Sequence, residues 1–593
     1  MGRRSMECRV SWAIAGSRGR IISASSSRER RNSGRFILEK VSNSGSWAGI
    51  PFFRLSAILA TMHYFISSLL LALLLCTCGP APETDEQLSG SATARRPNII
   101  FIMSDDHAQR AISAYTDELT ETPNLDRIAD GGMLFRNSFV TNSICAPSRA
   151  AILTGKYSHL NGKIDNLSPF NPDQWTFPEA LHEAGYRTSL IGKHHLQAIP
   201  RGIDEFRGLI GQGSYYNPVF VHNGDTLPPA EGYTSTVITD YALEELRRNA
   251  ASDQPFMMLY WHKAPHRNWM PDTSDLAGLL DKRYPEPATL RDEYAGRPAA
   301  AHADMRIADM FTSHDLKVTG EYQNPDPGTG GATFIQNPNF DQVKNFDRQL
   351  GRMTPGQRAA WEPFLKRVGE EWQSVKGTDR ELSWRYQRYM QDYLASVKSV
   401  DDNVGRVLDY LEESGLAENT IVIYTSDQGF YLGEHGWYDK RFMYEESHRT
   451  PLMIRYPPLI EAGSSTEAMT LNIDLAPTLL QLAGAVVPDE LQGRSLLPIL
   501  QGDTPEDWRD YVYYRYYQQM NSYHRVARHE GVRGERYKLI HFTEPGFEGY
   551  ELYDLQEDPQ EMENRINDPK LTAVKEQLKS ELREKREELK VTD

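Results

Sequence analysis

Cysteine is scarce in this chain. Of 593 residues four are cysteine, and Cys8, Cys76 and Cys78 all fall in the N-terminal leader. The part that reads as globular holds one thiol, Cys145, which has no partner there for a disulfide. Long apolar runs are equally rare. The conspicuous one, Met62 to Cys78, is too short for a comfortable bilayer-spanning helix. There is no internal repeat. Surplus positive charge is missing from the body of the chain. Residues 1–61 carry eleven basic residues against three acidic ones, a net of +8, whereas the whole chain is −16 and the remainder therefore −24. An acidic body argues against nucleic acid as a partner. It leaves room for an anionic substrate, because a local basic pocket overrides the net field.

The run 62–78 has the length of a signal-peptide core and is followed by small or polar residues. Residues 1–61 are rich in Arg and Ser and lack an apolar period. Two readings of them stand: a misassigned start, with the true one at Met62, or a disordered extension. Leu75-Cys76-Thr77-Cys78 loosely resembles a bacterial lipoprotein box with Cys78 as the lipidated residue. Thr77 departs from that pattern, so simple secretion stays open. Residues 79–95 read as a polar tether. The expectation is an exported protein: periplasmic, lipid-anchored at the outer membrane, or secreted.

The folded part opens near residue 96, with ample apolar material for a large core. Asn98 to Met103 is a continuous apolar run, as expected for a strand buried on both faces. It ends in Asp105-Asp106-His107. Three more runs end the same way. Arg187 to Gly192 leads into Lys193-His194-His195, Pro255 to Trp261 into His262-Lys263-Ala264-Pro265-His266, and Thr420 to Thr425 into Ser426-Asp427-Gln428-Gly429. In open parallel sheets the strand C-termini line one edge, and the site lies in the crevice outside them. One site fed by several strands is the simplest account. Adjacent ionised carboxylates in a dry site need a cation, so Asp105-Asp106 is a metal candidate. A solvated turn is its plain alternative.

Between the runs lie helices. Thr176 to Gly185 is short and amphipathic. The clearest spans roughly Leu382 to Ser414, with Tyr386, Met390, Tyr393, Val397, Val400, Val404, Val407 and Leu411 on one stripe. Residues 275–380 are less regular, with the loop Asn324 to Gly331, and read as an insertion that shapes a substrate pocket or as a surface excursion. Asp474 to Gly484 is a capped helix. From about residue 506 aromatic strands, Tyr511 to Tyr514 and Tyr537 to Phe542, and a Glu/Lys-rich terminal helix mark a smaller α+β domain. The expected division is thus 96–505 for a catalytic domain and 506–593 for a C-terminal subdomain.

Cys145-Ala146-Pro147-Ser148-Arg149 sits where a helix should start, with Pro147 in its first turn and Gly155 at its stop. A buried structural cysteine is the bland reading of such a thiol. The full string, Cys-x-Pro-Ser-Arg followed by Leu153-Thr154-Gly155, resembles the signature of type I sulfatases. The motif order agrees: Asp105-Asp106, the cysteine string, Gly192-Lys193-His194-His195, Pro265-His266, Ser426-Asp427-Gln428-Gly429 and Lys440. Asp474-Leu475-Ala476-Pro477-Thr478 and Glu551-Leu552-Tyr553-Asp554-Leu555 match later markers. From about residue 96 onward the chain looks like a bacterial carbohydrate sulfatase, of the kind that acts on N-acetylglucosamine 6-sulfate or on heparan and algal polysaccharides.

That resemblance implies an alkaline-phosphatase-like α/β domain, with a central mostly parallel sheet flanked by helices, and a smaller C-terminal domain with an antiparallel sheet. It implies that Cys145 is converted to formylglycine by a formylglycine-generating enzyme, and that Asp105, Asp106, Asp427, Gln428 and the modified Cys145 hold one Ca²⁺. Many relatives have Asn where this chain has Gln428; either amide oxygen coordinates. Arg149 and Lys193 would hold the formylglycine and the sulfate. His195 would be the base, and His266 and Lys440 would face the sulfate ester. Among the remaining histidines, His107, His194, His262, His435 and His448, the first choice for a substrate contact is His435, because it follows the Asp427 strand end. The expected function is hydrolysis of sulfate monoesters on a sulfated glycan. A formylglycine-dependent phosphonate or phosphodiester hydrolase, and a non-catalytic glycan-binding lipoprotein, are the alternatives.

Overall fold

The computed structural model describes residues 95–320, 345–518 and 523–592. The leader, the run 62–78, Cys78 and the loop 324–331 lie outside the described residues. Ten strands form the main sheet: β1 (Asn98–Ser104), β2 (Met133–Phe135), β3 (Arg187–Gly192), β4 (Glu205–Leu209), β5 (Phe220–His222), β6 (Asp225–Thr226), β7 (Phe256–Trp261), β8 (Thr420–Ser426), β9 (Leu452–Arg455) and β10 (Ser464–Thr466). Their order is β10-β2-β9-β8-β1-β7-β3-β4-β5-β6. The central strands β8, β1, β7, β3 and β4 run parallel, and all four apolar runs singled out in the sequence are among them. Antiparallel β9 and the β5–β6 hairpin make the sheet mixed.

Alternation along β1 explains why its run is apolar throughout. Ile100 and Ile102 face one layer, while Ile99, Phe101 and Met103 face the other, and all are fully buried. The first layer holds α2 (Thr234–Ala250), α3 (Pro355–Val375) and α4 (Glu381–Glu413). The whole apolar stripe of α4, Tyr386 to Leu411, is buried there. The second layer holds α1 (Cys145–Thr154) and α5 (Leu475–Leu482). Two helical layers on one sheet is the stable way to cover a sheet that is apolar on both sides.

The described residues of 275–380 are more regular than their sequence suggests. Its helix α3 opens on a capping box: the Gln357 backbone N–H donates to Thr354 Oγ1 at 3.3 Å, and the Thr354 backbone N–H donates to Gln357 Oε1 at 2.9 Å. Trp361, Val368 and Trp372 anchor it in the core.

Strands β11 (Val512–Tyr516), β12 (His529–Arg533), β13 (Tyr537–Phe542) and β14 (Gly549–Asp554) form the smaller antiparallel sheet. Helix α6 (Thr572–Glu588) packs on it through Leu578 and Leu582. This sheet does not stand apart, because Ser91–Asp593 is one compact unit. Tyr514 of β11 donates its hydroxyl to Arg441 O at 2.5 Å, tying the small sheet to the loops beyond β8.

Candidate active site

Register brings the acidic groups together. Ser104 of β1 pairs with Ser426 of β8, so Asp105-Asp106 and Asp427-Gln428 leave adjacent parallel strands at one level. The Asp427 backbone N–H donates to Ser104 O at 3.2 Å, and the Asp106 backbone N–H donates to Asp427 Oδ1 at 3.1 Å. On the other side of β1, the His262 N–H donates to Met103 O at 2.7 Å and the Lys193 N–H to Trp261 O at 2.9 Å. Gly192 makes this approach feasible: its φ is +114°, and a Cβ there would lie 1.9 Å from Trp261 O.

Cys145 is the first residue of α1, and Gly155 closes that helix in the left-handed conformation, with φ 62°. All ten residues of α1 are buried, so the helix is a fixed mount for the thiol. The Ala146 N–H, free at the helix start, donates to Asn166 Oδ1 at 3.1 Å. Cys145 Sγ lies 3.3 Å from Asp105 Oδ1 and 3.5 Å from Lys440 Nζ. Burial pushes the thiol up to about 12, against the pull of Lys440, so it stays protonated near neutral pH. As a plain cysteine this residue is a poor nucleophile.

Three cations answer the three carboxylates. Arg149 donates from Nε to Asp427 Oδ2 at 3.0 Å and from Nη1 to Lys193 O at 2.5 Å. Lys193 pairs with Asp105, and Lys440 with Asp106. Two buried oxygens remain without a hydrogen bond, Asp106 Oδ2 and Gln428 Oε1, while Asp105 Oδ2 meets only the Lys193 and Arg149 cations. Asp105, Asp106 and Asp427 can each present one oxygen within 4.8 Å of the others. Orphaned oxygens of that kind, all hard donors on adjacent strand ends, fit a divalent cation such as Ca²⁺.

Through Cys145 and Lys440 the cluster meets a cavity of about 470 Å³. Cys145, His195, His266 and Lys440 border it, with Asn166, Lys263, Arg267, His314, Asp439, Arg441 and His524 around them. Burial holds His195 well below the usual imidazole range, with Lys193 and Arg149 adding to it, and its Nδ1 has no hydrogen-bond partner. His266 is likewise held low by burial and by Lys193, Lys263 and Lys440; its Nε2 is 3.8 Å from Asp106 Oδ2. Both imidazoles are neutral at rest. Asp439 and Arg441 flank Lys440, and His524 Nε2 lies 3.1 Å from Asp439 Oδ2. His195, Asp439, Arg441 and His524 all carry positive φ, at 57°, 77°, 106° and 66°. Strain of that kind in non-glycine residues gathers at sites that must aim side chains.

The structure thus brings Cys145, Arg149, Lys193, His195, His266, Lys440, Asp105, Asp106, Asp427 and Gln428 to one place. His435 is a correction. It is fully buried and does not border the cavity, because the turn at Gly433 (φ 100°) directs it inward to Asp292, 3.1 Å from its Nδ1. His107, His194, His262 and His448 do not border the cavity either. Sequence reading missed Asn166, Arg267, Asp439, Arg441 and His524 as cavity residues, and gave Lys263 no role. A signal existed for Asp439 and Arg441, which sit beside Lys440, and for Lys263 and Arg267, which flank Pro265-His266. Asn166 and His524 carried none.

The family described as Sulfatase matches residues 97–485, and the domain described as N-sulphoglucosamine sulphohydrolase, C-terminal, matches residues 433–588. A protein of Bacteroides thetaiotaomicron named N-acetylglucosamine-6-O-sulfatase is 43% identical over 549 residues, covering 91% of this chain and 94% of that one. A solved structure, described as a complex with its substrate D-glucosamine-2-N,6-O-disulfate, superposes with a TM-score of 0.78 at 44% identity, over 84% of this chain and 99% of that one. The phosphonate monoester hydrolase of Agrobacterium radiobacter shares the fold, with a TM-score of 0.57 at 22% identity, over 83% of this chain and 96% of that one. Together with a strand-end site that gathers the cysteine string, the carboxylates and the cations, these matches show that the chain belongs to the sulfatase family of sulfuric ester hydrolases.

Proposed function

We propose that this sulfatase removes the 6-O-sulfate of a glucosamine-type residue in a sulfated glycan, using Cys145 after its conversion to formylglycine. The observation that carries the formylglycine reading is the position of Cys145. Its Sγ stands between Asp105 and Lys440 at the cavity floor, while burial keeps the unmodified thiol protonated. A hydrated aldehyde at that position supplies a hydroxyl nucleophile on a carbon with a second hydroxyl, which gives the sulfate a way to leave by C–O cleavage. The glucosamine reading rests on the 43% identical relative and on the substrate named for the structural neighbour.

Asp105, Asp106, Asp427 and Gln428 are the residues that would hold Ca²⁺, which supplies Lewis-acid polarisation of oxygen. Charge accounting favours it. Three carboxylates already face three cations, so the floor is neutral by itself. With the carboxylates taken up by a divalent cation, Arg149, Lys193 and Lys440 would be free to meet the sulfate oxygens. His266, neutral in the empty cavity, takes up a proton when the sulfate anion binds beside it and can then protonate the departing sugar oxygen. His195, neutral with an unpartnered Nδ1, is the base that restores the aldehyde. Asp439, Arg441 and His524 form a polar wall suited to sugar hydroxyls.

Maturation by a formylglycine-generating enzyme follows from the same reading. Export, with or without a lipid on Cys78, rests on the run 62–78. The test is sulfate release from N-acetylglucosamine 6-sulfate and from the N,6-O-disulfate, with an aryl phosphodiester alongside. Turnover of the phosphodiester above both sulfates would replace this reading by the phosphohydrolase one.

A further inference from the structure

Most basic side chains around the cavity are already committed. Lys440 is paired with Asp106. Arg267 makes two bonds to Asp315, at 2.8 and 2.6 Å. Arg441 donates to Asp439 at 3.0 Å and to Gln518 at 2.9 Å. Lys263 differs. It is 3% exposed and borders the cavity, yet its amine has no hydrogen bond and no ion pair among the described residues. The contact it does make is with the face of Tyr215, 4.6 Å from the ring centroid. Burial lowers this amine to about 7, against the pull of Asp106, and it meets the cavity with no protein acceptor; a bound anion would supply both the acceptor and the charge that favours its protonation.

Its surroundings say which ligand. Lys263 lies two residues beyond β7, and its carbonyl accepts the His266 N–H at 3.1 Å, so amine and imidazole issue from one tight turn. The Tyr215 hydroxyl donates to His266 O at 2.6 Å. One residue therefore touches the Lys263 amine with its ring and holds the His266 backbone with its hydroxyl. The amine feels Asp106, Cys145 and Lys440, and it bears in turn on Lys193 and His266. Of these, Cys145, His266 and Lys440 border the same cavity as Lys263.

We propose that Lys263 is a sulfate-binding residue, whose ammonium donates to a non-bridging oxygen of the scissile sulfate beside Lys193 and Lys440. The proposal rests on the sulfatase activity of the family and goes beyond the residues its sequence motifs point to. It gives the Tyr215 ring a positioning role, since its face fixes the direction of the amine. It also accounts for a buried lysine left without a carboxylate: a carboxylate there would compete with the substrate anion.

The experiment uses the mature, calcium-loaded enzyme with Lys263→Met and Lys263→Arg. Substrates are N-acetylglucosamine 6-sulfate and glucosamine N,6-O-disulfate, and binding of inorganic sulfate is measured separately by calorimetry. Methionine keeps the volume and removes an unpaired buried charge, so a melting temperature at or above that of the parent certifies the fold. Lys263→Met is expected to lower kcat/KM on both substrates by a similar factor, roughly 10- to 100-fold, as for loss of a charge-assisted hydrogen bond. It is expected to weaken inorganic sulfate comparably, with Lys263→Arg recovering part of both. Unchanged sulfate binding together with kcat/KM within twofold of the parent overturns the proposal. Loss on the disulfate alone also overturns it, assigning the amine to the second anionic substituent. A parent enzyme silent on both sugars counts against the glucosamine reading only, because sulfate binding still reports on Lys263.

Discussion

Arg149 donates from Nε to Asp427 Oδ2 at 3.0 Å, with both side chains closed to solvent. The same guanidinium lies 3.3 Å from Asp105 Oδ2, so one residue of the cysteine string bridges the two strand ends that carry the acids. Removing one partner of a buried pair strands the other charge, at a cost of about 3–5 kcal/mol. Arg149→Met should therefore lose that much stability in metal-free protein, read as a lower denaturant midpoint. Added Ca²⁺ should recover part of the loss, since it neutralises the stranded Asp427. An equal loss with and without Ca²⁺ would separate Asp427 from the metal.

Metal removal has a readout apart from turnover. Chelator-treated protein should melt at a lower temperature than protein saturated with Ca²⁺, because a ligand that binds the native state alone stabilises by mass action. Gln428→Leu removes one oxygen donor and should weaken Ca²⁺ in a calorimetric titration; it also removes the Gln428 Nε2 bond to Asp106, so the metal-free melt should fall as well. A titration curve identical to that of the parent would remove Gln428 from the ligand set.

His266 as the acid predicts a dependence on the leaving group. His266→Ala should cost roughly 10²- to 10⁴-fold in kcat on a sugar sulfate, whose alkoxide needs a proton. On an aryl sulfate the penalty should be far smaller, because a phenolate leaves without help. Equal penalties on both would move the acid to Lys440, which Asp106 keeps protonated against the effect of burial.

His435 has a structural role with a pH signature. Burial alone would lower it, but Asp292 and Glu446 outweigh burial and Arg297 and raise it from 6.5 to about 9. Stability from the charged imidazole is fully present below about pH 6.5 and is lost as pH rises through 9, an amount on the order of 3 kcal/mol. His435→Gln should be less stable than the parent at pH 6, converge with it near the top of that window, and keep kcat/KM. A parallel offset at every pH would contradict the assignment.

The parallel centre of the sheet was legible because strands buried on both faces read as unbroken apolar runs, and each run ended in its functional group. Helix α4 was legible for a similar reason, since its stripe is uninterrupted from Tyr386 to Leu411. Helix α3 was hidden by Gly356, Pro363 and Gly369, residues that ordinarily argue against a helix. Trp361 and Trp372, buried against the core, override that local preference. His435 misled because nearness in sequence to Asp427 says nothing of direction, which the turn at Gly433 decides. Lys263, Asp439, Arg441 and His524 stand on loops, three of them in left-handed backbone conformations. No periodicity marks such positions, so their convergence on the cavity shows only in three dimensions.

The central claim is that Cys145 carries the chemistry. Its most direct test is inorganic sulfate released from N-acetylglucosamine 6-sulfate by protein co-expressed with a formylglycine-generating enzyme, beside the Cys145→Ala variant made in the same way. The account predicts sulfate release by the parent and none above background by the variant, with both proteins equally folded. Sulfate release by Cys145→Ala at the parent rate would contradict it.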